Sequence, residues 1–410
     1  MTYRTRLMAS ALALAVTAAL LPDAVAAGKQ SPLSAQDIAS LVQSNKSRPI
    51  SISVYATGLN NPRGLKFGPD GYLYVAEGGI GGTHSTTPQQ CQQVPNVGPY
   101  TGSPTGGRIS KIDRHGHRIT VTDALPSSQT APETGAFISG VADVAFIGHT
   151  MYALLAGAGC SHGVIGTDNA VMRIAPNGSA TMVADLSVYQ KAHPVQNPNP
   201  GDFEPDGTWY SMLALDGNLY ALEPNHGELV RISPAGSIHR VMDISATQGH
   251  IVPTALAYHG HFFIGNLNTF PIVEGSSKVL KLKGNGQLQT AVNGLTTVLG
   301  IAFDRRDRMY VLENTTGNPL PTPGTGTIVR INHSGLRETI ITGLFLPTGM
   351  TFGPDGALYV SNVGFGPPPT GMGQVLRFDL GDCGRGARDS QGRCDRESES
   401  LPIGAGATAW

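Results

Sequence analysis

The length, composition and charge of this chain restrict the classes of protein to which it can belong. The chain has 410 residues, of which 14% are charged, and it contains 53 Gly and 29 Pro. Such a composition is typical of a compact protein built from many short strands and turns. The formal net charge is -1 and no basic patch is visible, which argues against a nucleic-acid partner.

The N-terminus has the features of a secretory signal peptide over residues 1–26. Two arginines precede an apolar run at residues 7–21, and the sequence AVA ending at Ala26 supplies the small residues that a signal peptidase requires. The run is shorter than the roughly 20 residues that span a bilayer as a helix, and no later segment is apolar enough. We therefore expect a secreted or periplasmic protein, with no membrane span in the mature chain.

Residues 27–49 follow the signal as an N-terminal segment. Within it, the sequence SAQD leads into apolar positions at residues 38–42, a pattern that favours one short capped helix. The repeats that come next occupy residues 50–380, which we interpret as one repeat domain. Residues 381–410 then form a C-terminal tail.

A ten-residue motif recurs six times in the repeat domain. The starts of successive copies are 62, 58, 50, 49 and 47 residues apart. A unit that recurs about every 40 to 50 residues, with short apolar runs and turns, is the signature of four-stranded propeller blades. The copies are GRISKIDRHG (107–116), NAVMRIAPNG (169–178), GELVRISPAG (227–236), SKVLKLKGNG (277–286), GTIVRINHSG (326–335) and GQVLRFDLGD (373–382).

Two further elements precede each copy and complete the blade. A run such as LYVAE (73–77), rich in aromatic and β-branched residues, is predicted to be the second strand. An apolar segment that ends in a turn, such as GLKFGPDG (64–71), is predicted to be the first. A fourth apolar run follows each of the first five copies. The sequence therefore predicts an all-β, six-bladed β-propeller with strands ordered from innermost to outermost.

The sixth blade lacks an outer strand of its own in sequence order. The apolar run at residues 50–55 is followed by Gly-Leu, as is the outer strand of the fifth blade. We therefore expect the N-terminal strand to complete the last blade. Such closure removes open sheet edges that would otherwise pair with another chain.

Every copy of the motif contains a lysine or arginine. We interpret this residue as structural, with its apolar stem between blades and its charged head reaching water or a turn carboxylate. Six equivalent positions are unlikely to serve one reaction. The residues are Lys111, Arg173, Arg231, Lys281, Arg330 and Arg377.

Four antiparallel strands sort the loops of each blade onto two faces. Turns between strands one and two, and between three and four, form a short-turn face, and the other loops form a long-loop face. Long loops on one end of a rigid scaffold are where binding and catalysis concentrate. We therefore expect a ligand site on the long-loop face, around the central channel. The insertions on that face are 78–106, 156–168, 186–209, 314–325 and 363–372.

Five of the six second strands end in a carboxylate or amide side chain. Oxygen ligands that converge on an axis suit a hard cation such as Ca2+ or Mg2+, so the sequence predicts a candidate metal ring that faces the channel. The alternative is that these side chains cap the channel mouth and bind backbone groups or water. The residues are Glu77, Glu223, Asn266, Glu313 and Asn362, with Leu155 in the second blade.

Two histidines on the long-loop side are the candidate general bases. His226 lies beside Glu223 in EPNHGE, and His250 comes just before an innermost strand. The sequence identifies no orienting partner for either, so an ordinary surface histidine is the alternative in both cases. No nucleophile elbow, phosphate loop or zinc-spaced cluster is present in the sequence.

In an exported protein the four cysteines are expected to form disulfides, and four cysteines can be paired in three ways. The pair Cys383 and Cys394 is favoured because the two are close in sequence around a Gly-rich turn. That leaves Cys91 with Cys160, which the topology places in neighbouring loops of the long-loop face. Free thiols are the alternative.

The sequence resembles the ScyD/ScyE family of exported propellers over about residues 50–380. The resemblance is carried by NPRGLKFGPDGYLYVAEGG, by VPTALAYHGHFFIGNL with FPIVEG, and by LPTGMTFGPDGALYVSNVGFGPPP. It implies an exported six-bladed propeller rather than a particular reaction. More distantly, the repeats are similar to NHL propellers and to the gluconolactonase and regucalcin group, whose channel binds a divalent ion through Glu, Asn and Asp. Glu77, Glu223, Asn266 and Asn362 match those residue types, and no Asp stands in the ring.

Two functions are compatible with these observations. The first is an exported propeller that binds a small molecule or an exported protein on its long-loop face, with no reaction assigned. The alternative is a lactonase-like hydrolase or lyase that depends on Ca2+ or Mg2+ and acts at the channel mouth. A quinone-dependent sugar dehydrogenase is disfavoured because no basic cofactor pocket can be identified.

Overall fold

The computed structural model describes residues 35–44, 50–332, 334–364 and 370–381. Within these ranges the chain forms six antiparallel sheets, so the predicted six-bladed β-propeller is confirmed. The predicted signal peptide and the FGPPP loop lie outside the described residues. So do Cys383 and Cys394, whose predicted disulfide therefore remains a prediction.

The blades are numbered from the first complete sheet in the chain, and strands A to D of each blade run outward from the axis. Blade 1 contains Pro62–Phe67, Leu73–Glu77, Thr101–Ile112 and Arg118–Gln129, blade 2 contains Val141–Ile147, Thr150–Leu155, Ala170–Ile174 and Ala180–Asp185, and blade 3 contains Ser211–Leu215, Asn218–Glu223, Glu228–Ile232 and Ile238–Asp243. Blade 4 contains Pro253–Tyr258, Phe262–Asn266, Ser277–Leu282 and Leu288–Leu295, blade 5 contains Val298–Phe303, Met309–Glu313, Gly326–Ile331 and Arg337–Leu344, and blade 6 contains Gly349–Phe352, Leu358–Asn362, Gly373–Asp379 and, as its D strand, Ser51–Leu59.

The A strands form a closed ring around the axis. Each contacts the A strands of the two neighbouring blades, and blade 6 contacts blade 1. The ring is closed as expected, because Ser51–Leu59 pairs antiparallel with Gly373–Asp379, with Ile52 opposite Phe378. Blade 6 thus joins the two ends of the repeat domain.

The hydrophobic core lies between neighbouring blades. One cluster, for example, joins Leu312 of blade 5 to Leu358 and Phe378 of blade 6, all three fully buried. A blade covered on both faces tolerates apolar residues at consecutive positions, as in the wholly buried strand Gly326–Ile331. This packing explains why the blade strands do not alternate between apolar and polar residues.

Three of the repeated basic residues, Lys111, Arg330 and Arg377, bind carboxylates, as the structural interpretation expected. In blade 1, Lys111 Nζ donates to Asp70 Oδ2 at 2.7 Å, and Tyr74 Oη donates to the same oxygen at 2.8 Å. These bonds tie the C strand, the B strand and the short turn of one blade together. Blade 6 repeats the arrangement with Arg377, Tyr359 and Asp355, and in blade 5 Arg330 binds Glu338.

The described chain also contains short helices and strands outside the four strands of each blade. The predicted N-terminal helix is Ala35–Ser40, and the strand Gln43–Ser44 after it pairs with the outer edge of blade 5. None of the helices in the described part of the chain is long and apolar enough to cross a membrane. The remaining elements are helices Leu186–Ala192 and Ser245–Gln248, 3-10 turns Pro132–Thr134, Cys160–His162 and Pro200–Asp202, and strands His84–Ser85 and Ile138–Ser139.

Candidate functional site

The central channel is almost closed. A cavity of about 30 Å3 lies on the axis between the A strands, and its walls include Leu65, Asp143, Tyr210 and Met350. A single water needs roughly 10 to 15 Å3 of such space, so the cavity has room for only a few waters. This cavity by itself is too small to enclose a sugar-sized substrate.

Tyr210 crosses the long-loop end of this channel. It comes just before the A strand of blade 3, and its Oη donates to the carbonyl oxygen of Thr348, just before blade 6, at 3.0 Å. These two blades lie opposite each other in the ring. Burial raises the pKa of Tyr210 to about 12, so the phenol keeps its proton and this bond at neutral pH. Tyr210 therefore narrows the channel mouth.

Asp143 ties three blades together beside the axis. Its carboxylate accepts hydrogen bonds from the backbone amides of Val144 in blade 2, at 2.9 Å, and Met212 in blade 3, at 2.8 Å. It also packs against Gly64 of blade 1, where an added methyl group would lie 2.0 Å from Oδ1. Burial raises the pKa of this carboxyl. These contacts give Asp143 a structural role at the axis.

The five side chains of the predicted metal ring lie at the long-loop ends of the B strands. Four of them accept a hydrogen bond from the backbone that leads into the A strand of the same blade. The donors are the amides of Asn60 to Glu77 (2.5 Å), Thr208 to Glu223 (3.0 Å), Thr296 to Glu313 (2.7 Å) and Phe345 to Asn362 (2.8 Å). Asn266 donates to the carbonyl of Ile251 at 3.0 Å and accepts from the amide of Lys278 at 2.8 Å.

Glu77 shows why these side chains do not fit a shared cation site. Its Oε1 accepts from Arg108 Nε at 2.8 Å and from Ser110 Oγ at 2.5 Å, and its Oε2 accepts from Arg108 Nη2 and the Asn60 amide, both at 2.5 Å. A carboxylate with both oxygens engaged in this way is a poor cation ligand. No group of three His, Cys, Asp or Glu side chains in the described ranges is arranged to hold a metal ion. The contacts support the backbone-binding alternative, and the metal ring remains a prediction without structural support.

The two candidate catalytic histidines bind the same inserted segment, residues 200–206, between blades 2 and 3. His226 Nε2 contacts the carbonyl oxygen of Glu204 at 3.0 Å, so this nitrogen carries the proton. His250 Nε2 lies 2.7 Å from Asp202 Oδ2. His226 also donates its backbone amide to Glu223 Oε2 at 2.5 Å. Both histidines thus have partners that the sequence did not identify, and both hold this insert in place.

A buried polar cluster lies beneath the same insert. His162 Nδ1 is 2.9 Å from Ser128 Oγ, and its Nε2 is 3.5 Å from Glu204 Oε2. Tyr100 Oη donates to Glu204 Oε1 at 2.9 Å. All four residues are buried, and burial together with the nearby Glu204 charge raises the pKa of Tyr100 well above its ordinary value. The cluster joins blade 1, the loop of blade 2 and the insert before blade 3.

We name residues 83–100, 156–168 and 193–206 the loop platform, because these three segments are bonded to one another on the long-loop face. The predicted disulfide between Cys91 and Cys160 is present and joins the first two segments. Asn96 Nδ2 donates to the carbonyl oxygen of Gly201 at 2.8 Å and joins the first to the third. The platform is therefore one connected structure rather than three separate loops.

Glycines allow the platform segments to approach each other backbone to backbone. A methyl group on Gly102 would lie 2.3 Å from the carbonyl oxygen of His162. Gly163 has a φ of +77°, and a methyl group there would lie 2.3 Å from the carbonyl oxygen of His84. No larger residue can take these positions without moving its neighbour. The high glycine content of the insertions thus has a packing explanation.

Charged residues are distributed unequally between the two faces. The platform segments 83–100 and 193–201 contain no Asp, Glu, Lys or Arg. The short-turn face contains repeated ion pairs, for example between Lys111 and Asp70 and between Arg377 and Asp355. The exposed residues of these two platform segments are mainly amides, hydroxyls and prolines, with the histidines His84 and His193.

Sequence reasoning missed Tyr100, Ser128, His162 and Glu204 as a group. They are far apart in sequence, and only the long strands Thr101–Ile112 and Arg118–Gln129, which extend past the blade, bring the first two toward the third. One signal was available. Glu204 is an acidic residue in an insertion that otherwise has few charges, and such a residue is seldom buried without a partner.

Comparison with known proteins gives the class of fold. No protein-family model matches the chain, and no curated protein matches it. A solved structure from Thermus thermophilus, described as an oxidoreductase of the glucose dehydrogenase kind, is similar with 18% identity and a TM-score of 0.51, over 81% of this chain and 100% of that chain. A protein of unknown function from Bacteroides thetaiotaomicron gives 9% identity and a TM-score of 0.50, over 81% and 76%. A protein described as a gluconolactonase is 12% identical, with a TM-score of 0.45, over 80% of this chain and 92% of that chain.

These similarities agree with the architecture of six blades. At such low identities they show the fold alone, because one fold carries many unrelated functions. The chain is therefore a six-bladed β-propeller, and its function has to be argued from its own site.

Proposed function

We propose that this protein is an exported six-bladed propeller of the ScyD/ScyE type that binds a small molecule or an exported partner on its long-loop face. The binding surface is the loop platform. Binding alone is sufficient for this role, and no catalytic step is assigned to the chain.

The observation that carries the proposal is the contrast between the platform and the channel. The platform is held by a disulfide, by the bond from Asn96 to Gly201 and by the buried cluster around Glu204. A surface that is ordered before binding loses less conformational entropy when a ligand binds. The channel beneath has a cavity of only about 30 Å3. The axial cavity thus leaves little room for a ligand, whereas the side chains of the platform include many that are exposed to solvent.

Export is supported by two features of different origin. The N-terminal sequence has the pattern of a cleaved signal peptide, and the disulfide between Cys91 and Cys160 is of the kind that persists in oxidising compartments. Both agree with a secreted or periplasmic location. N-terminal sequencing of the purified protein, with a start at about residue 27 expected, tests this part of the proposal.

The alternative function, a hydrolase or lyase that uses Ca2+ or Mg2+, has less support. It requires the predicted ring to share a cation, and the hydrogen bonds of Glu77 and its counterparts occupy those oxygens. The pair of His250 and Asp202 is an acid–base pair of the right type, but it lies against the insert rather than beside the ring. We therefore derive no catalytic step through a metal.

Blocking one face at a time tests where the ligand binds. The full chain is screened against arrays of soluble oligosaccharides and peptides, and each hit is measured again with two variants. Gln92→Trp places a bulky ring on the exposed platform, and Gln287→Trp does the same on the short-turn face. We expect only Gln92→Trp to weaken binding. An equal effect of both variants, or an effect of Gln287→Trp alone, would contradict a platform site.

A further inference from the structure

Two segments of the loop platform, residues 83–100 and 193–201, present hydrogen-bonding side chains without charge. In segments 83–100 and 193–201 the exposed residues include the amides Gln89, Gln92 and Gln196, and the exposed ionisable side chains are the histidines His84 and His193. A charged ligand that settled on this surface would lose hydration without meeting an opposite charge. The chemistry of the surface thus excludes strongly charged ligands and favours neutral ones.

Primary amides are suited to one kind of neutral ligand. Each amide group offers an acceptor oxygen next to donor hydrogens, so it can bond two neighbouring hydroxyl groups at once. Exposed threonine and asparagine side chains, including Thr87 and Asn197, add further donors and acceptors to the same surface. A ligand rich in hydroxyls satisfies such groups more fully than an aliphatic ligand does.

An aromatic pair stands at the edge of the platform. The rings of Tyr189 and His193 are stacked, with centroids 4.5 Å apart and an angle of 19° between their planes. His193 is exposed, and it lies three residues before Gln196. A flat ring beside amide groups matches a sugar, which has an apolar face of C–H groups and a rim of hydroxyls.

The carboxylates of the platform are confined to Asp168 and to residues 202–206, outside the two uncharged segments. Lys191 Nζ binds Asp206 Oδ1 at 2.5 Å, and Asp202 binds His250. Glu204 is buried. Glu133 is exposed, but it belongs to the turn before blade 2 and not to the platform segments.

We infer that the loop platform recognises neutral, hydroxyl-rich carbohydrate. This inference rests on the proposed function, because it names the class of ligand for the same surface. The amides of Gln89, Gln92 and Gln196 bond the hydroxyl groups, and the ring of His193 packs against a sugar face.

Binding to soluble polysaccharides of different charge tests the inference. The full chain is run by affinity electrophoresis and measured by calorimetry with neutral polymers (dextran, galactomannan and xyloglucan), an anionic polymer (alginate), a cationic polymer (chitosan oligosaccharide) and an uncharged Gly-Ser-Pro peptide. We expect binding to at least one neutral polysaccharide. The dissociation constant should change less than about twofold between about 0.05 M and 0.5 M NaCl, because no ion pair is formed.

Matched variants separate this inference from the proposed function. The triple variant Gln89→Ala, Gln92→Ala, Gln196→Ala should weaken binding about tenfold or more. The control Gln287→Ala, Gln289→Ala removes exposed amides from blade 4, away from the platform, and should leave binding unchanged.

Each contrary result has a distinct meaning. Binding to no neutral polysaccharide, or only to alginate, chitosan or the peptide, overturns the carbohydrate inference. If such binding is still lost in the platform variant, the proposed function survives. If binding to any polymer is lost in the control variant and kept in the platform variant, both the carbohydrate inference and the proposed function are overturned.

Discussion

Removing the disulfide between Cys91 and Cys160 should loosen the loop platform and destabilise the fold. The two cysteines are 69 residues apart in sequence. The change is the double substitution Cys91→Ser and Cys160→Ser, which leaves no unpaired thiol in the platform. A reductant alone is a less specific perturbation, because it would also act on the predicted pair of Cys383 and Cys394.

The expected magnitude follows from the length of the closed loop. In the chain-entropy model, a loop of this length raises the free energy of unfolding by about 4 kcal/mol. The unfolding entropy is about 2.1 cal/mol/K per residue, so for the roughly 330 residues of the repeat domain this loss corresponds to a fall in melting temperature of about 6 °C. Guanidinium unfolding and calorimetry of the two proteins measure these quantities.

Hydrogen exchange shows whether the effect is local. We expect amides in residues 83–100 to exchange faster in the variant, because only hydrogen bonds, such as those of Asn96, Thr86 and Tyr100, would then hold that segment. Amides of blades 4 and 5 should be unchanged and are the internal control. A stability change below about 1 kcal/mol, together with unchanged exchange in the platform, would refute the view that the disulfide holds it.

Four further changes test the other assignments. Glu77→Gln should lower the free energy of unfolding by about 3 to 5 kcal/mol, because it removes the carboxylate partner of Arg108, whose side chain is only 12% exposed, and a neutral result in urea unfolding would argue for a different role. Gly64→Ala should cost at least about 1 to 3 kcal/mol, because its methyl group would overlap Asp143, and a wild-type melting temperature would contradict the axial contact. Burial acts to raise the pKa of Asp206, but hydrogen bonds, foremost that from Lys191, hold the pKa below its ordinary value. The ionised carboxylate therefore stabilises the fold above a pH of about 4, and this stabilisation is lost as the pH falls through the lowered pKa. Asp206→Asn should therefore be less stable than wild type at pH 7, the difference should shrink as the pH falls below about 4, and a constant difference would refute this. Addition of a chelator should leave the melting temperature unchanged, because the carboxylates of the predicted ring are occupied, and a clear fall would restore the metal-site hypothesis.

The fold could be predicted from the sequence because each blade has a similar local pattern of strand and turn residues. An aromatic residue in the second strand and a basic residue in the third recur in every blade, and the turn GPDG occurs in blades 1 and 6. In blade 1 the structure joins these three features through Asp70, Tyr74 and Lys111. The closing strand could be found because residues 50–55 imitate the outer strand of blade 5. Because each blade contacts only its neighbours, a pattern repeated along the sequence was enough to predict the arrangement of all six blades.

The site was harder to predict because its parts are not repeated. The position of Glu77 and its counterparts could be read from the sequence, but their partners, such as Asn60 and Arg108, could not. The same holds for His226 and His250, whose contacts lie in an insertion with no equivalent in the other blades. Insertions are fixed by tertiary contacts, and a single sequence does not record those.

The most direct test of a platform site is a hydrogen-exchange footprint of the full chain with a bound neutral oligosaccharide. We predict slower exchange in residues 83–100 and 193–201, with the short-turn face unchanged. Protection confined to the short turns, such as residues 68–71 and 353–356, or to the A strands around Tyr210, would contradict a ligand site on the loop platform.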